Sequence, residues 1–104
     1  MYNVTKKQME TRNDIINKLQ EVKPILQKEY AVKTIGLFGS FAENTNTSDS
    51  DVDIMVEFEK PIGWHFFTLE TFLEKTLNRK IDLVTKNALK EPVKPYILNQ
   101  MQYI

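Results

Sequence analysis

The most constraining feature of this sequence is a short segment, residues 51–58 (DVDIMVEF), in which acidic and apolar side chains alternate. Successive side chains of a β-strand point to opposite faces, so Asp51 and Asp53 share one face. Val52 and Ile54 share the other face, which is apolar and therefore belongs to a core. The pattern predicts a strand whose second face carries two carboxylates.

Two carboxylates held side by side repel each other, and each desolvated charge costs several kcal/mol unless a positive charge compensates it. Mg²⁺ prefers oxygen ligands and is usually bound by one or two carboxylates together with substrate phosphates. The pair Asp51 and Asp53 therefore favours a site for a metal–nucleotide complex over a structural ion.

A Gly-Ser pair precedes the first of these acids by ten residues. It follows an apolar run, KTIGLF, that predicts a buried strand ending at Gly39 and Ser40. Backbone amides at such a turn, together with the Ser40 hydroxyl, are suited to face an anion. The pair is the candidate phosphate-binding element.

A third acid, Asp82, is the single charge in a second apolar strand predicted over residues 81–84. Apolar strands rarely bury a lone carboxylate for packing reasons. If this strand lies beside the first, three carboxylates form a cluster able to hold two ions about 3.5–4 Å apart. Asp82 would then be a metal ligand near the nucleophile and a candidate general base.

The run GSFAENTNTSDSDVDIMVEF, followed by KIDLVT, resembles the signature of the nucleotidyltransferase superfamily. Nearly the whole chain resembles the minimal nucleotidyltransferases, the antitoxins of two-gene systems whose toxin is a HEPN-domain ribonuclease. The resemblance implies that AMP is transferred from ATP, with Mg²⁺, onto a tyrosine hydroxyl of the toxin, which silences it. It also implies that Gly39 and Ser40 contact the triphosphate, that Asp51 and Asp53 bind metal, and that Asp82 assists the acceptor oxygen.

Glu43 departs from the pattern of many relatives, which carry an arginine at this position. An acid near a polyanionic substrate weakens electrostatic complementarity. Two alternatives to a protein adenylyltransferase therefore stay open. One is a module without catalysis that neutralises the toxin by occlusion, which Glu43 favours, whereas the three acids favour the enzyme. The other is a small-molecule nucleotidyltransferase of the antibiotic-modifying kind, completed by a partner subunit.

The sequence predicts an α/β fold: a small mixed sheet of at least three strands, with helices packed on one face and the acids at one sheet edge. The predicted elements are a helix with Ile15 to Tyr30, kinked or restarted at Pro24, strands near residues 34–38, 52–58 and 81–84, a helix from Phe66 to Leu77, and a last helix starting at Pro92 and buried through Val93, Ile97 and Met101.

The chain is expected to be one domain, residues 1–104. Its 14 basic and 14 acidic residues balance, which argues against a dedicated nucleic-acid binder. The lack of cysteine fits a reducing cytoplasm, and no apolar run is long enough to span a bilayer. Six cations lie between residues 75 and 94, and most of the lysines among them are interpreted as a solvated helix face. One or two of the six remain candidates to reach the triphosphate or an acidic partner surface.

We expect the 104 residues to form one domain, without a second domain that would bind the acceptor. The acceptor is therefore expected to be positioned by another macromolecule, which predicts a hetero-oligomer. Trp64, Tyr96 and Tyr103 are candidate contacts with such a partner.

Overall fold

The computed structural model describes residues 10–104 of the chain. The elements in chain order are α1 (Arg12–Tyr30), β1 (Val32–Phe38), α2 (Gly39–Glu43), β2 (Val52–Phe58), α3 (His65–Leu77), β3 (Ile81–Thr85), a 3-10 turn (Lys86–Ala88), α4 (Lys94–Gln100) and β4 (Gln102–Tyr103). This mixed helical and sheet architecture confirms the predicted fold class.

The four strands form one mixed sheet in the order β3-β2-β1-β4. Strand β1 is antiparallel to both β2 and β4, whereas β2 and β3 are parallel. Parallel neighbours require a crossover connection, and α3 supplies it between β2 and β3. The two strands that carry the predicted acids are therefore adjacent and begin at the same end of the sheet.

Helices α1 and α3 cover one face of the sheet. Their apolar stripes pack on the inward side chains of β2, Val52, Ile54 and Val56, which are fully buried. The alternation in the sequence thus predicted the inward face of this strand correctly. Burial of these side chains is the main source of stability, at about 1.5–3 kcal/mol for each large apolar residue.

The opposite face of the sheet is covered only in part. A second apolar cluster, built from Phe38, Met55, Leu89 and Met101, lies there with side chains of α4. Helices packed on one face are therefore confirmed for α1 and α3, while the short α4 lies on the other face. The part of this second face nearest the starts of β2 and β3 carries the acidic residues.

One detail of the predicted helices was wrong. The last helix begins at Lys94 with Pro95 in its first turn, so Pro92 precedes it and Val93 is 48% exposed rather than buried. Either proline suits a first helical turn, because that position needs no backbone N–H, and the sequence alone does not separate them. Helix α1 runs through Pro24 as one continuous helix, so of the two alternatives predicted at this proline, a kink or a restart, the restart does not occur.

Helix α1 owes its start to a capping box: Thr11 accepts from the Asp14 backbone, and the Asp14 carboxylate accepts from the Thr11 backbone. It ends at Ala31, which adopts the left-handed conformation. Within residues 10–104, neither this helix nor any other is long and apolar enough to cross a membrane.

Candidate active site

Strand register places Asp53 directly beside Asp82 on neighbouring parallel strands. Asp51 lies two residues before Asp53, immediately ahead of β2. Because Val52 and Ile81 point into the core, Asp53 and Asp82 both face away from it. The structure therefore brings the three predicted acids together at one end of the sheet.

The three carboxylates differ in exposure. Asp51 and Asp82 are exposed, whereas Asp53 is half-buried between them. Burial raises the pKa of Asp53 to about 6, with further contributions from the charges of Asp82 and Asp51 and from a hydrogen bond with Asp82. The protein thus disfavours the charged form of Asp53, and a cation at this face would stabilise that form.

The Gly-Ser turn lies against the same acid. Strand β1 ends at Phe38, which pairs with Asp53, and the chain turns into α2 at Gly39 with a φ of 73°. A side chain at Gly39 would overlap the Asp53 carboxylate, since a Cβ there would lie 2.9 Å from Asp53 Cγ. The candidate phosphate-binding turn and the candidate metal ligands are therefore in direct contact.

Ser40 follows in the first turn of α2 and is half-buried. Its carbonyl accepts a hydrogen bond from the Thr45 backbone at 2.9 Å, which closes the end of this five-residue helix. The next turn of the loop is held by Ser50, whose hydroxyl accepts from the Thr47 backbone at 2.8 Å. The ten residues between the Gly-Ser pair and Asp51 are thus an ordered connection.

Glu43 ends α2 and is exposed. Its carboxylate accepts a hydrogen bond from the Tyr96 hydroxyl at 3.2 Å, which links α2 to α4. Glu43, at the position where the resemblance implies an arginine, therefore has a hydrogen-bond partner of its own in this protein. Tyr96 is itself 62% exposed.

Within residues 10–104, no group of three or more acidic, histidine or cysteine side chains is arranged to hold a metal ion by itself. The acids instead line an open face of the sheet. Their oxygen donors suit Mg²⁺, which commonly completes its coordination with water and substrate phosphates. Asp51, Asp53 and Asp82 therefore fit an ion that arrives with a nucleotide better than a permanently held one.

Sequence reasoning missed Arg79. Its side chain is 14% exposed and lies behind the loop that leads to Asp51, rather than on a solvated helix face. One signal was available: Arg79 is the only arginine among the six cations of residues 75–94, and it lies two residues before the strand of Asp82. Arginine, unlike lysine, presents several donors in a fixed planar arrangement.

Residues 19–104 match the sequence pattern of the nucleotidyltransferase domain family. A protein of Methanocaldococcus jannaschii with the provisional name protein adenylyltransferase MJ0128 is 44% identical over 98 residues, covering 92% of this chain and 100% of that protein. Protein adenylyltransferase MntA of Thermococcus cleftensis is 37% identical, covering 92% of this chain and 98% of its own.

Solved structures share the fold. A chain described provisionally as a minimal nucleotidyltransferase has a TM-score of 0.77 at 21% identity, covering 92% of this chain and 98% of its own. A toxin–antitoxin structure with AMP-PNP has a TM-score of 0.62 at 24% identity, covering 90% of this chain and 72% of its own. The structure of the tri-AMPylated Shewanella oneidensis HEPN toxin in complex with MNT antitoxin has a TM-score of 0.53 at 22% identity. The match covers 88% of this chain and 66% of the chain in that structure.

The family model covers most of the chain, and the curated relatives align over nearly their whole length. The matched region contains the Gly-Ser turn and all three aspartates. The chain belongs to the nucleotidyltransferase domain family, among relatives that are named protein adenylyltransferases.

Proposed function

We propose that the chain is a single-domain, magnesium-dependent protein adenylyltransferase that acts as an antitoxin in the cytoplasm. It transfers AMP from ATP onto a tyrosine hydroxyl of a HEPN-family ribonuclease toxin, with which it forms a hetero-oligomer, and thereby silences the toxin. The observation that carries the proposal is the position of Asp53, beside Asp82 across two parallel strands and against Gly39.

Each residue of the site has a role in this reaction. Asp51, Asp53 and Asp82 hold magnesium, and Gly39 and Ser40 contact the triphosphate. When bound, magnesium neutralises charge on the phosphates and lowers the pKa of the attacking hydroxyl. Asp82, the exposed acid on the edge strand, takes the proton of the tyrosine hydroxyl.

In the transfer, the tyrosine oxygen bonds to the α-phosphorus of ATP. The bond between that phosphorus and the oxygen bridging to the β-phosphorus breaks. Pyrophosphate leaves with the bridging oxygen. The names of the curated relatives support AMP transfer to a protein, and the solved complex of an AMPylated HEPN toxin supports the class of acceptor. The AMP-PNP complex supports ATP as the donor.

A second candidate function is neutralisation by occlusion, without transfer. It is favoured by Glu43, an acid at the end of the helix that starts with the Gly-Ser pair. The two functions share the partner and the fold but differ in one product, the modified toxin.

The purified chain is incubated with a HEPN partner, labelled ATP and Mg²⁺, and the partner is then examined by mass spectrometry. We expect the toxin to gain one or more AMP units on tyrosine, and Asp51→Asn and Asp53→Asn to abolish the gain. Asp49→Asn is the matched control, because Asp49 is an exposed acid of the same loop outside the cluster. Persistent labelling with Asp53→Asn would refute the enzyme, and protection without any labelling would select occlusion.

A further inference from the structure

The side chain of Arg79 lies under the loop that delivers Asp51 to the site. One guanidinium nitrogen, Nη1, donates to the carbonyls of Ser48 at 3.3 Å and Ser50 at 3.2 Å. These carbonyls belong to the last residues of the loop, and Ser50 is bonded covalently to Asp51. The loop is therefore anchored at the point where it enters the acidic cluster.

The same guanidinium also contacts the helix of the Gly-Ser pair. Its central carbon lies 5.1 Å from the centre of the Phe41 ring, and Phe41 is completely buried. Phe41 directly follows Ser40. A cation over a desolvated aromatic ring is held more strongly than one at an exposed ring.

A third contact fixes the guanidinium itself. Arg79 Nε donates to the Glu10 carboxylate at 3.0 Å, and the Glu10 carbonyl accepts from Asn46 Nδ2 at 3.1 Å. Glu10 thus holds the arginine and the middle of the same loop. This leaves the arginine little freedom to turn away from the loop.

Backbone contacts complete the link to the third acid. Lys80, the next residue, accepts a hydrogen bond from the Val52 backbone at 3.0 Å, and Asp82 follows two residues later. Arg79 is therefore connected to each of the three segments that supply candidate site residues: α2, the loop before Asp51, and the start of β3.

We propose that Arg79 is the positioning residue of the site: it holds Asp51 in register with Asp53, Asp82 and the Gly-Ser turn, so that the acids bind the metal–nucleotide complex together. The proposal rests on the proposed function. It requires the planar, multiply donating guanidinium, because a lysine ammonium keeps the charge but does not reproduce contacts at Nε and Nη1 together.

The test measures metal affinity rather than turnover. Mn²⁺ is titrated into the full chain in the presence of AMP-PNP and followed by electron paramagnetic resonance. Because the loss of residues that orient metal ligands weakens metal binding 10–100-fold in other sites, we expect Arg79→Lys to raise the apparent Kd at least about ten-fold. Glu10→Ala removes the carboxylate that Nε contacts, so it should shift the Kd in the same direction. This variant covers the case in which Arg79→Lys fails to fold.

Two control variants separate positioning from general stability. Arg12→Lys removes a guanidinium contact to the Ala42 carbonyl, on α2 but not on the loop before Asp51. Leu26→Ala destabilises the buried core near the other end of α1. We expect both controls to bind Mn²⁺ within about two-fold of the unaltered chain, since neither touches a segment joined directly to Asp51.

An unchanged Kd in both Arg79→Lys and Glu10→Ala would overturn the proposal, as would an equal loss of affinity in Leu26→Ala. In either case the proposed function would stand if Asp53→Asn still abolished binding. Absence of Mn²⁺ and AMP-PNP binding in the unaltered chain would instead remove the proposed function, and the role of Arg79 with it.

Discussion

The Asp53 carboxylate lies against the backbone of Gly39, at the point where β1 turns into α2. The two residues are brought together by the pairing of β1 with β2, in which Phe38 lies opposite Asp53. The fit depends on the missing side chain, because a Cβ on Gly39 would overlap the carboxylate. The glycine of the Gly-Ser pair therefore makes room for an acid as well as for a turn with positive φ.

We predict that Gly39→Ala inactivates the protein. The new methyl group must displace the Asp53 carboxylate, and a displacement of about 1 Å in a reacting site is enough for a loss of about a hundred-fold in rate. The positive φ adds about 1–2 kcal/mol of destabilisation. AMP transfer to the partner and urea unfolding measure the two effects.

Gly63→Ala is the matched control for this variant. Gly63 also has a positive φ, of 55°, but a Cβ there would meet no atom within 4 Å. Its substitution should lower the free energy of unfolding by a similar backbone contribution and leave transfer unchanged. Equal transfer rates in Gly39→Ala and Gly63→Ala would contradict the close fit of Gly39 and Asp53.

A different result is expected at Gly36. A Cβ on this residue would lie 2.5 Å from Met101 Sδ, on the apolar part of the second face. Methionine is flexible enough to move, so we predict that Gly36→Ala destabilises the protein by about 1–3 kcal/mol. Since the acids lie beyond this cluster, the transfer rate measured below the unfolding temperature should remain within about two-fold of the original. A loss as large as that of Gly39→Ala would show that the two halves of the face are coupled.

The raised pKa of Asp53 predicts an unusual pH dependence of stability. The folded pKa of about 6 exceeds the value of about 3.9 expected in the unfolded chain. Between these values the folded state binds more protons, so the contribution of Asp53 to the free energy of unfolding is favourable in acid and is lost as pH rises to about 6. The stability contributed by an acid in a salt bridge changes with pH in the opposite direction, being lost as the pH falls.

Asp53→Asn should therefore be more stable than the unaltered chain at pH 7.5 with EDTA present, by about 1 kcal/mol after allowance for solvent screening at this half-exposed site. The difference should shrink towards pH 4.5. Urea unfolding of both proteins at the two pH values provides the measurement, and the comparison cancels the titration of other groups. A constant difference across this range would show that Asp53 ionises normally.

The placement of the acids was largely predictable because it follows from strand geometry. Alternation in β2 fixed the face of Asp53, and the lone charge in the next apolar strand identified Asp82, which the register then placed beside it. Arg79 was not predictable in the same way. Its contacts with Ser48, Ser50 and Phe41 join segments far apart in the chain. The spacing of apolar residues along the sequence does not predict such long-range contacts.

The helices were also only partly predictable from local sequence patterns. The apolar spacing of α3 indicated a helix that the structure places at His65–Leu77. The predicted start of α4 was wrong because Pro92 and Pro95 both suit a first helical turn, and the structure has Pro95 in that turn. The error in the start also made the predicted burial of Val93 wrong, because this residue precedes the helix and is exposed.

Glu43 offers a last prediction, in which activity is gained. An arginine at this position would replace a negative charge near the triphosphate by a positive one, an effect of about 1 kcal/mol at an exposed site. We expect Glu43→Arg to lower the KM for ATP about five-fold at low ionic strength, with the gain shrinking as salt is added. Tyr96→Phe is the control, because it removes the hydrogen bond to Glu43 without changing the charge. If Tyr96→Phe matched the gain, release of the α2–α4 link rather than charge would be responsible, and a KM unaffected by Glu43→Arg would place this residue outside the reach of the substrate.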